Sequence, residues 1–274
     1  MNASSIVFVG IAPHPPIMVP EVGGEAIAEV RGSIDAMREL TRRLIESRAE
    51  TLVLVSPHAP LDARAFVAYD GPTLRGDFAN FRAPHANVEV ALDSEMLDAI
   101  RHAAREDDFR IKGAGDERLD HGTAVPLYFI LRNGWTGRAV ALGYTFLSDE
   151  EHVRFGASVA RAAASLGRRV AFVASGDLSH RLKPGAPAGF FPEAHLFDEQ
   201  VVAAIEDARP GRIAEIDFGL RRAAGECGYR SMLVALGAAE GARHACEVLH
   251  YEAPFGVGYL VAQLAREGGA GDEQ

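Results

Sequence analysis

The sequence predicts a single α/β domain in which helices cover both faces of a central sheet that is mixed but mostly parallel. Short apolar runs rich in β-branched residues recur along the 274-residue chain, and segments with helical periodicity lie between them. The content of 48% hydrophobic and 24% charged residues is that of an ordinary globular protein. No change in composition marks a domain boundary, so we expect one domain over residues 1–267 and a disordered, Gly-rich and acidic tail over residues 268–274.

The first two predicted strands each run into a proline-rich loop. Residues 6–9 form a compact apolar run that leads into Ala12-Pro13-His14-Pro15-Pro16, where the prolines prevent further ladder pairing. A helix is expected to begin with Ser33 as its N-cap, because the apolar residues that follow share one face. Residues 51–55 are predicted as the second strand, which ends at Ser56-Pro57-His58-Ala59-Pro60. The pattern Pro-His-x-Pro therefore occurs twice, each time after a strand.

The remaining elements continue the alternation. Further strands are predicted over residues 65–69, 88–92, 138–144, 170–174, 248–252 and 257–264. Further helices are predicted over residues 95–105, 122–131, 149–166, 197–205, 212–216 and 230–237. The strand over residues 170–174 leads into Ser175-Gly176-Asp177-Leu178-Ser179-His180, whose small residues indicate a tight turn.

Charge and cysteine content exclude several classes of protein. With 28 basic and 38 acidic residues the net charge is −10, which repels a polyanion, so nucleic-acid binding is not expected. No apolar stretch approaches the ~18 residues that a membrane span needs, and no secretory signal is recognisable at the start. Cys227 and Cys246 do not make a disulfide framework and are expected as small buried residues. We expect a cytoplasmic protein without a membrane or nucleic-acid partner, and we expect it to form a homo-oligomer.

Four of the ten histidines occupy positions where ligands commonly bind. His14, His58 and His180 each follow a buried strand, and His121 opens a predicted helix behind Asp120. Ligands of open α/β sheets gather beyond the carboxyl ends of the strands, so these imidazoles converge if their strands are neighbours. On the residue pattern alone, each loop histidine could equally satisfy backbone carbonyls, and Asp120 could simply cap the helix.

Two imidazoles and one carboxylate on a metal would leave three positions open, which is the arrangement of non-haem Fe(II) oxygenases. Glu252 is the candidate carboxylate because it ends a predicted strand beside small residues, although an exposed turn glutamate fits the same pattern. Asp177 is placed to orient or charge-stabilise an imidazole. The motifs of the main rival enzymes, Gly-x-Ser-x-Gly, His-Glu-x-x-His, a Walker loop and Cys-x-x-Cys, are absent from the sequence.

Five segments, in their order along the chain, resemble the class III extradiol ring-cleavage dioxygenases, the LigB-type superfamily of the catalytic B subunit of protocatechuate 4,5-dioxygenase. They are residues 12–16, 56–60, 120–122, 175–180 and 251–252. The runs over residues 176–182 and 254–259 are most similar to the Memo-like branch of that superfamily.

The resemblance implies an enzyme that cleaves the ring of a catechol-type or aminophenol-type aromatic with O₂. It implies that His14, His58 and Glu252 bind Fe(II), with Mn(II) or Zn(II) as other possible metals. His180 matches the acid–base histidine and His121 a histidine that contacts the substrate, while Asp177, Ser179 and Asp120 are expected next to the substrate or behind these residues. Two alternatives stay open: a Memo-like metal-binding or interaction protein without catalysis, and a zinc-dependent hydrolase that uses the same ligands.

Overall fold

The computed structural model describes residues 4–267 and confirms the predicted α/β fold. The expected tail over residues 268–274 lies outside the described residues. The strands are β1 (Ile6–Ala12), β2 (Thr51–Ser56), β3 (Phe66–Ala68), β4 (Thr73–Phe78), β5 (Ala83–Ala91), β6 (Ile111–Gly113), β7 (Arg138–Gly143), β8 (Val170–Ser175), β9 (His244–Glu252) and β10 (Tyr259–Arg266). The α-helices are α1 (Pro20–Gly23), α2 (Arg31–Glu46), α3 (Ser94–Glu106), α4 (His121–Arg132), α5 (Asp149–Leu166), α6 (His195–Glu206), α7 (Phe218–Ala224) and α8 (Tyr229–Ala238).

Within the described residues, one eight-stranded sheet has the order β6-β3-β7-β2-β8-β1-β10-β9, and β4 and β5 form a separate hairpin. Strands β7, β2, β8 and β1 are parallel neighbours, whereas β10 and β9 add to β1 in antiparallel register. Strands β1, β2 and β8 are buried along their whole length, as expected for parallel strands covered on both faces.

Adjacent parallel strands bring the predicted site loops to one edge of the sheet. Strand β8 lies between β2 and β1, so all three carboxyl ends emerge side by side. The loops that follow them carry His58, His14 and His180. The convergence predicted for these loops therefore follows directly from the strand order.

Helices pack on both faces of the sheet in two groups. One group contains α2 and α4, which contact each other, and Gly10 of β1 faces Leu40 of α2. The other group contains α3, α5 and α8, with α8 packed on β8. The site edge is therefore bordered by α4 on one face and by α8 on the other.

Some local predictions were wrong. Helix α2 begins at Arg31 and has Val30 at its N-cap, because the 3₁₀ segment Gly24–Val30 runs straight into it. Ser33 is thus inside the first turn, where its backbone N–H and hydroxyl are free to bind a side chain from elsewhere. The helix predicted over residues 212–216 is a 3₁₀ segment, Pro210–Glu215, and strand β4 was not predicted.

Helices α5 and α8 approach each other through glycines. A Cβ atom on Gly237 of α8 would overlap the carbonyl oxygen of Val153, and one on Gly156 of α5 would overlap that of Val234. Close backbone contact of this kind leaves no room for a methyl group, so both positions need glycine.

We expect Gly237→Ala to destabilise the protein by about 1–3 kcal/mol, because α5 and α8 must separate to admit the methyl group. In a chain of this size that loss lowers Tm by several degrees, measurable by circular dichroism. The control is Gly211→Ala, since a Cβ on the exposed Gly211 meets nothing within 4 Å. Equal melting of Gly237→Ala and the wild type would contradict this account of the helix contact.

Candidate active site

Three imidazoles meet at the carboxyl edge of the sheet. Nitrogen atoms of His14, His58 and His121 all lie within 4.8 Å of one another. The Nε2 atoms of His14 and His58 are 3.1 Å apart, and the rings of His58 and His121 stack with centroids 4.3 Å apart. Two of the three strand-end histidines, His14 and His58, thus converge as predicted, and His121 joins them from the first position of α4. In the part of the chain that the structure describes, His180 does not belong to this group.

A chain of hydrogen bonds determines which nitrogen of His14 carries the proton. The Ser175 hydroxyl donates to the carbonyl oxygen of Gly122. The same Ser175 Oγ lies 2.9 Å from His14 Nδ1, and having given its proton to Gly122 it accepts the Nδ1–H. His14 Nε2 is therefore the nitrogen with a free lone pair, directed at His58. A ligand imidazole is commonly oriented in this way by the bond that its other nitrogen makes.

Asp120 connects the end of β2 to the start of α4. It caps α4 by accepting the Thr123 N–H at 3.0 Å, and it accepts the hydroxyl protons of Ser56 at 2.6 Å and Tyr69 at 2.9 Å. Ser56 Oγ in turn accepts the backbone N–H of His58 at 3.2 Å. Asp120 is thus the N-cap of α4, one of the two roles that the sequence left open for it, and the same carboxylate fixes His58 relative to His121.

Burial keeps the three imidazoles neutral. It lowers the pKa of His14 well below its usual value, and repulsion from His58 and His121 lowers it further. Burial also lowers the pKa values of His58 and His121, against an opposing pull from Asp120. Neutral imidazoles whose nitrogen atoms lie this close together are donors that suit a divalent metal, so this group could hold a metal ion.

Asp177 and His180 lie beside the three imidazoles. The Asp177 carboxylate accepts the backbone N–H of His14 at 3.0 Å, and its Oδ2 is 3.8 Å from His14 Nε2 and 4.0 Å from His180 Nε2. Burial raises the pKa of Asp177 to about 7 and lowers that of His180. Because burial disfavours charge on all three groups, these contacts are not strong ion pairs at neutral pH. Asp177 is thus able to hold or release a proton near neutrality.

Ser179 is an anchor behind the site. Its hydroxyl donates to the carbonyl oxygen of Ala224 at 3.0 Å, and its backbone N–H donates to Asp198 Oδ1 at 2.9 Å. Asp198 also accepts the hydroxyl proton of Tyr251 at 2.8 Å, so one carboxyl joins the loop of His180 to strand β9. Asp198 is 1% exposed, and burial raises its pKa to about 6. Sequence reasoning missed it, although a carboxylate on the apolar face of α6 was an available signal.

Glu252 lies at the end of β9 and binds helix α2. It accepts the backbone N–H of Ser33 at 2.9 Å and the Ser33 hydroxyl proton, and its Oε2 is 3.4 Å from His250 Nε2. It is the register partner of Tyr259, whose pKa is raised by burial and by both Asp177 and Glu252. Over residues 4–267, the set of potential ligand atoms within 4.8 Å of one another contains the three histidines and not Glu252. Metal binding by Glu252 stays a prediction.

Cys227 was expected as a small buried residue; it is only partly buried, and the structure places it at the site. Its Sγ is 3.6 Å from His14 Nε2, and it accepts the Asp177 N–H at 3.4 Å. Burial raises the pKa of the thiol well above its usual value, so the group is a neutral thiol. The next residue, Gly228, packs directly against Gly176 at the end of β8, and this contact between distant segments brings the thiol to the site. The side chains of His14 and Cys227 come from positions 213 residues apart.

Fold and site together define an α/β protein with a histidine-rich site, capable of holding a metal, at the carboxyl edge of its sheet. The family model described as the catalytic LigB subunit of aromatic ring-opening dioxygenase matches residues 9–262. The chain belongs to this family, and the resemblance seen in the sequence is confirmed.

Two curated proteins are similar to this chain in sequence. Protein CA_C1420 of Clostridium acetobutylicum is 34% identical over 263 residues, which are 93% of this chain and 56% of that protein. The 2,3-dihydroxyphenylpropionate/2,3-dihydroxicinnamic acid 1,2-dioxygenase of Escherichia coli K12 is 29% identical over 190 residues, which are 64% of this chain and 55% of the enzyme. The chain thus spans about half the length of these relatives.

The solved structure supports the fold. The crystal structure of the uncharacterized protein JW3007 from Escherichia coli K12 superimposes with a TM-score of 0.60 at 15% identity, covering 94% of this chain and all of that one.

Across residues 4–267, no helix combines the length and the apolar character that crossing a membrane requires.

The buried Asp198 carboxyl should make stability fall as pH rises from about 4 to 6. Its pKa is about 6 in the fold against 3.8 as a free group, so the stability contributed by the protonated form is lost across this window. Asp198→Asn cannot ionise and still accepts the Ser179 N–H. Relative to the wild type, its free energy of unfolding should therefore rise by up to about 3 kcal/mol between pH 4 and pH 7.

Urea unfolding at a series of pH values measures this difference. The exposed carboxyl of Asp116 provides the control, since Asp116→Asn removes an acid without touching the interior. A constant difference between Asp198→Asn and the wild type across the pH range would contradict the prediction.

Proposed function

We propose that this chain is a non-haem Fe(II)-dependent extradiol dioxygenase that opens the ring of a catechol-type or aminophenol-type aromatic with O₂. The observation that carries the proposal is the group of three neutral imidazoles, found at the ligand-binding edge of a fold that belongs to a ring-opening dioxygenase family. The named activity of the Escherichia coli relative, a dioxygenase of a dihydroxylated aromatic, supports the same reaction class.

His14 and His58 are the proposed metal ligands from the loops, and Glu252 is the proposed carboxylate. The free lone pair of His14 Nε2, 3.1 Å from His58 Nε2, supports the first two. Besides burial, Asp177 and Glu252 both contribute to the raised pKa of Tyr259, which supports a position for Glu252 near the loop that follows β8. Bound Fe(II) would supply the redox chemistry that O₂ needs and an anchor for two substrate oxygens.

His180 is the proposed acid–base group. Burial lowers its pKa, so at neutral pH the imidazole is a free base that can accept a proton from a substrate hydroxyl. Its Nε2 lies 4.0 Å from Oδ2 of Asp177, whose carboxyl exchanges a proton near pH 7 and can support a second transfer back to the substrate. Asp177 thus acts next to His180, while Ser179 holds the loop in place.

His121 is the proposed substrate-contacting histidine. It lies at the N-terminus of α4, where the helix dipole adds to burial in favouring the neutral ring. Phe81 packs edge-on against it with centroids 5.6 Å apart, which shields this side of the site from water. A neutral imidazole in that position can hydrogen-bond a substrate oxygen.

Replacing the acid–base group should stop turnover without removing the metal. We expect His180→Gln to lower ring cleavage by ~10²–10⁴, because general acid–base help of this kind contributes that much. Oxygen consumption with a panel of catechols and aminophenols measures the rate, and metal analysis measures the iron. His102→Gln is the matched control because His102 is exposed on α3. Full activity of His180→Gln would refute the assignment.

A second candidate function is favoured by the thiol beside His14. A site that used His14, His58 and Cys227 would suit zinc, and Glu252, bound to Ser33, would then have a structural role. The chain would be a zinc hydrolase or a Memo-like metal-binding protein without ring-cleaving activity. Stoichiometric zinc and no oxygen uptake with any diol would favour this candidate.

Two substitutions separate the ligand sets. If Glu252 is a ligand, Glu252→Gln should weaken Fe(II) binding by at least ~10-fold, while Cys227→Ser retains the metal. Metal content after anaerobic loading and dialysis measures both. Glu240→Gln, at an exposed position, is the control. The opposite pattern, with metal lost from Cys227→Ser alone, would overturn the Fe(II) ligand set.

A further inference from the structure

A cavity of about 470 Å³ lies between helix α3 and strand β6, at the end of the sheet. Cavities that bind small ligands typically measure roughly 300–1,000 Å³, so this one has room for a small organic molecule. Strands β3 and β7 separate β6 from β2, and none of the described residues that line the cavity belongs to the candidate active site. The cavity is therefore a separate place for a ligand.

Apolar atoms make up most of the surface of the cavity. Phe109 is one of the lining residues, and its ring is held by edge contacts with Phe66 and Phe155, whose centroids are each 5.9 Å away. Ile111, the first residue of β6, also lines the cavity and is only partly buried. An apolar ligand group placed here would remove this exposed surface from water, which is favourable.

The same cavity is lined by four cations and one acid, which are Arg101, Arg105, Arg110, Lys112 and Asp98. Arg101 pairs with Asp70 at 2.7 Å and with Asp98 at 3.4 Å. Lys112 pairs with Asp62. Two of the four cations are thus paired with carboxylates, and the one acid of the lining is already engaged.

The other two cations, Arg105 and Arg110, have no acid of their own. Across residues 4–267, no carboxylate oxygen lies within 4.0 Å of either guanidinium. Arg105 Nε donates to the carbonyl oxygen of Arg101 at 3.2 Å, and the carbonyl oxygen of Arg110 accepts the Phe66 N–H at 2.9 Å. Both side chains are exposed, so they stand where a ligand enters from solvent. In a chain of net charge −10, they form a local positive centre beside an apolar surface.

We propose that this cavity binds a small organic acid with an apolar body, whose carboxylate contacts Arg105 and Arg110 and whose body covers Phe109 and Ile111. A guanidinium binds a carboxylate through parallel hydrogen bonds. An inorganic anion would leave the apolar lining in water, and a neutral hydrocarbon would leave both guanidinium groups without a partner. The ligand therefore needs both parts. The inference is independent of the proposed function.

Three probes separate the two parts of the ligand. We would titrate the full chain with octanoate, with its neutral isostere octanamide and with acetate, using calorimetry. Octanoate should bind at least about tenfold more tightly than octanamide, because hydrogen bonds to a charged group contribute that much. Acetate, which lacks the apolar body, should show no binding at the concentrations that saturate octanoate. None of the probes is an aromatic diol, so the result does not depend on ring cleavage.

Variants locate the ligand. The double variant Arg105→Gln/Arg110→Gln should bind octanoate no more tightly than octanamide, and Arg105→Lys/Arg110→Lys should keep part of the preference because the charges remain. Arg222→Gln is the matched control, since Arg222 is also exposed and lies 5.9 Å from the ring centroid of Phe218. It should bind octanoate as the wild type does.

The opposite results would overturn the proposal while leaving the proposed function standing. They are no binding of octanoate by the wild type, equal binding of octanoate and octanamide, or acetate binding as tightly as octanoate. Unchanged octanoate binding by the double glutamine variant would place the ligand elsewhere on the protein and would overturn the assignment to this cavity.

Discussion

The hydrogen bond between Ser175 and Gly122 is the constraint on which the rest of the site depends. It joins the last residue of β8 to the first turn of α4, and it uses the only proton that the serine hydroxyl has. Ser175 must then accept from His14, which fixes the orientation and tautomer of that ring. One neutral contact between a strand and a helix thus determines which nitrogen faces the other imidazoles.

Buried carboxyl groups hold the surrounding loops together at some cost to stability. Asp177 accepts the His14 N–H, and Asp198 joins Ser179 to Tyr251. Burial raises the pKa values of both carboxyl groups, so a small change in pH near neutrality is enough to add or remove a charge in the interior. Perturbed acids of this kind concentrate where proton transfer is needed, and here they lie directly behind the candidate acid–base histidine.

The sequence predicted the sheet and the loop histidines well because those features are local. Apolar runs mark buried strands, and prolines mark their ends, so the positions of His14 and His58 follow from neighbouring residues. Contacts between residues far apart in the sequence could not be predicted, because they depend on how the connections between strands pack. Ser33 and Glu252 are 219 residues apart, and the helix start expected at Ser33 rested on capping preference alone. The proximity of Cys227 to His14 likewise appears only once β8 and α8 are packed together.

The contact between Gly176 and Gly228 gives the site a mechanical property. Backbone touches backbone there, because a Cβ on Gly176 would overlap the Cα atom of Gly228. The turn after β8 and the beginning of α8 therefore cannot slide independently. A displacement of α8 would therefore also move Asp177, the residue after Gly176, and with it the carboxyl group that accepts the backbone N–H of His14.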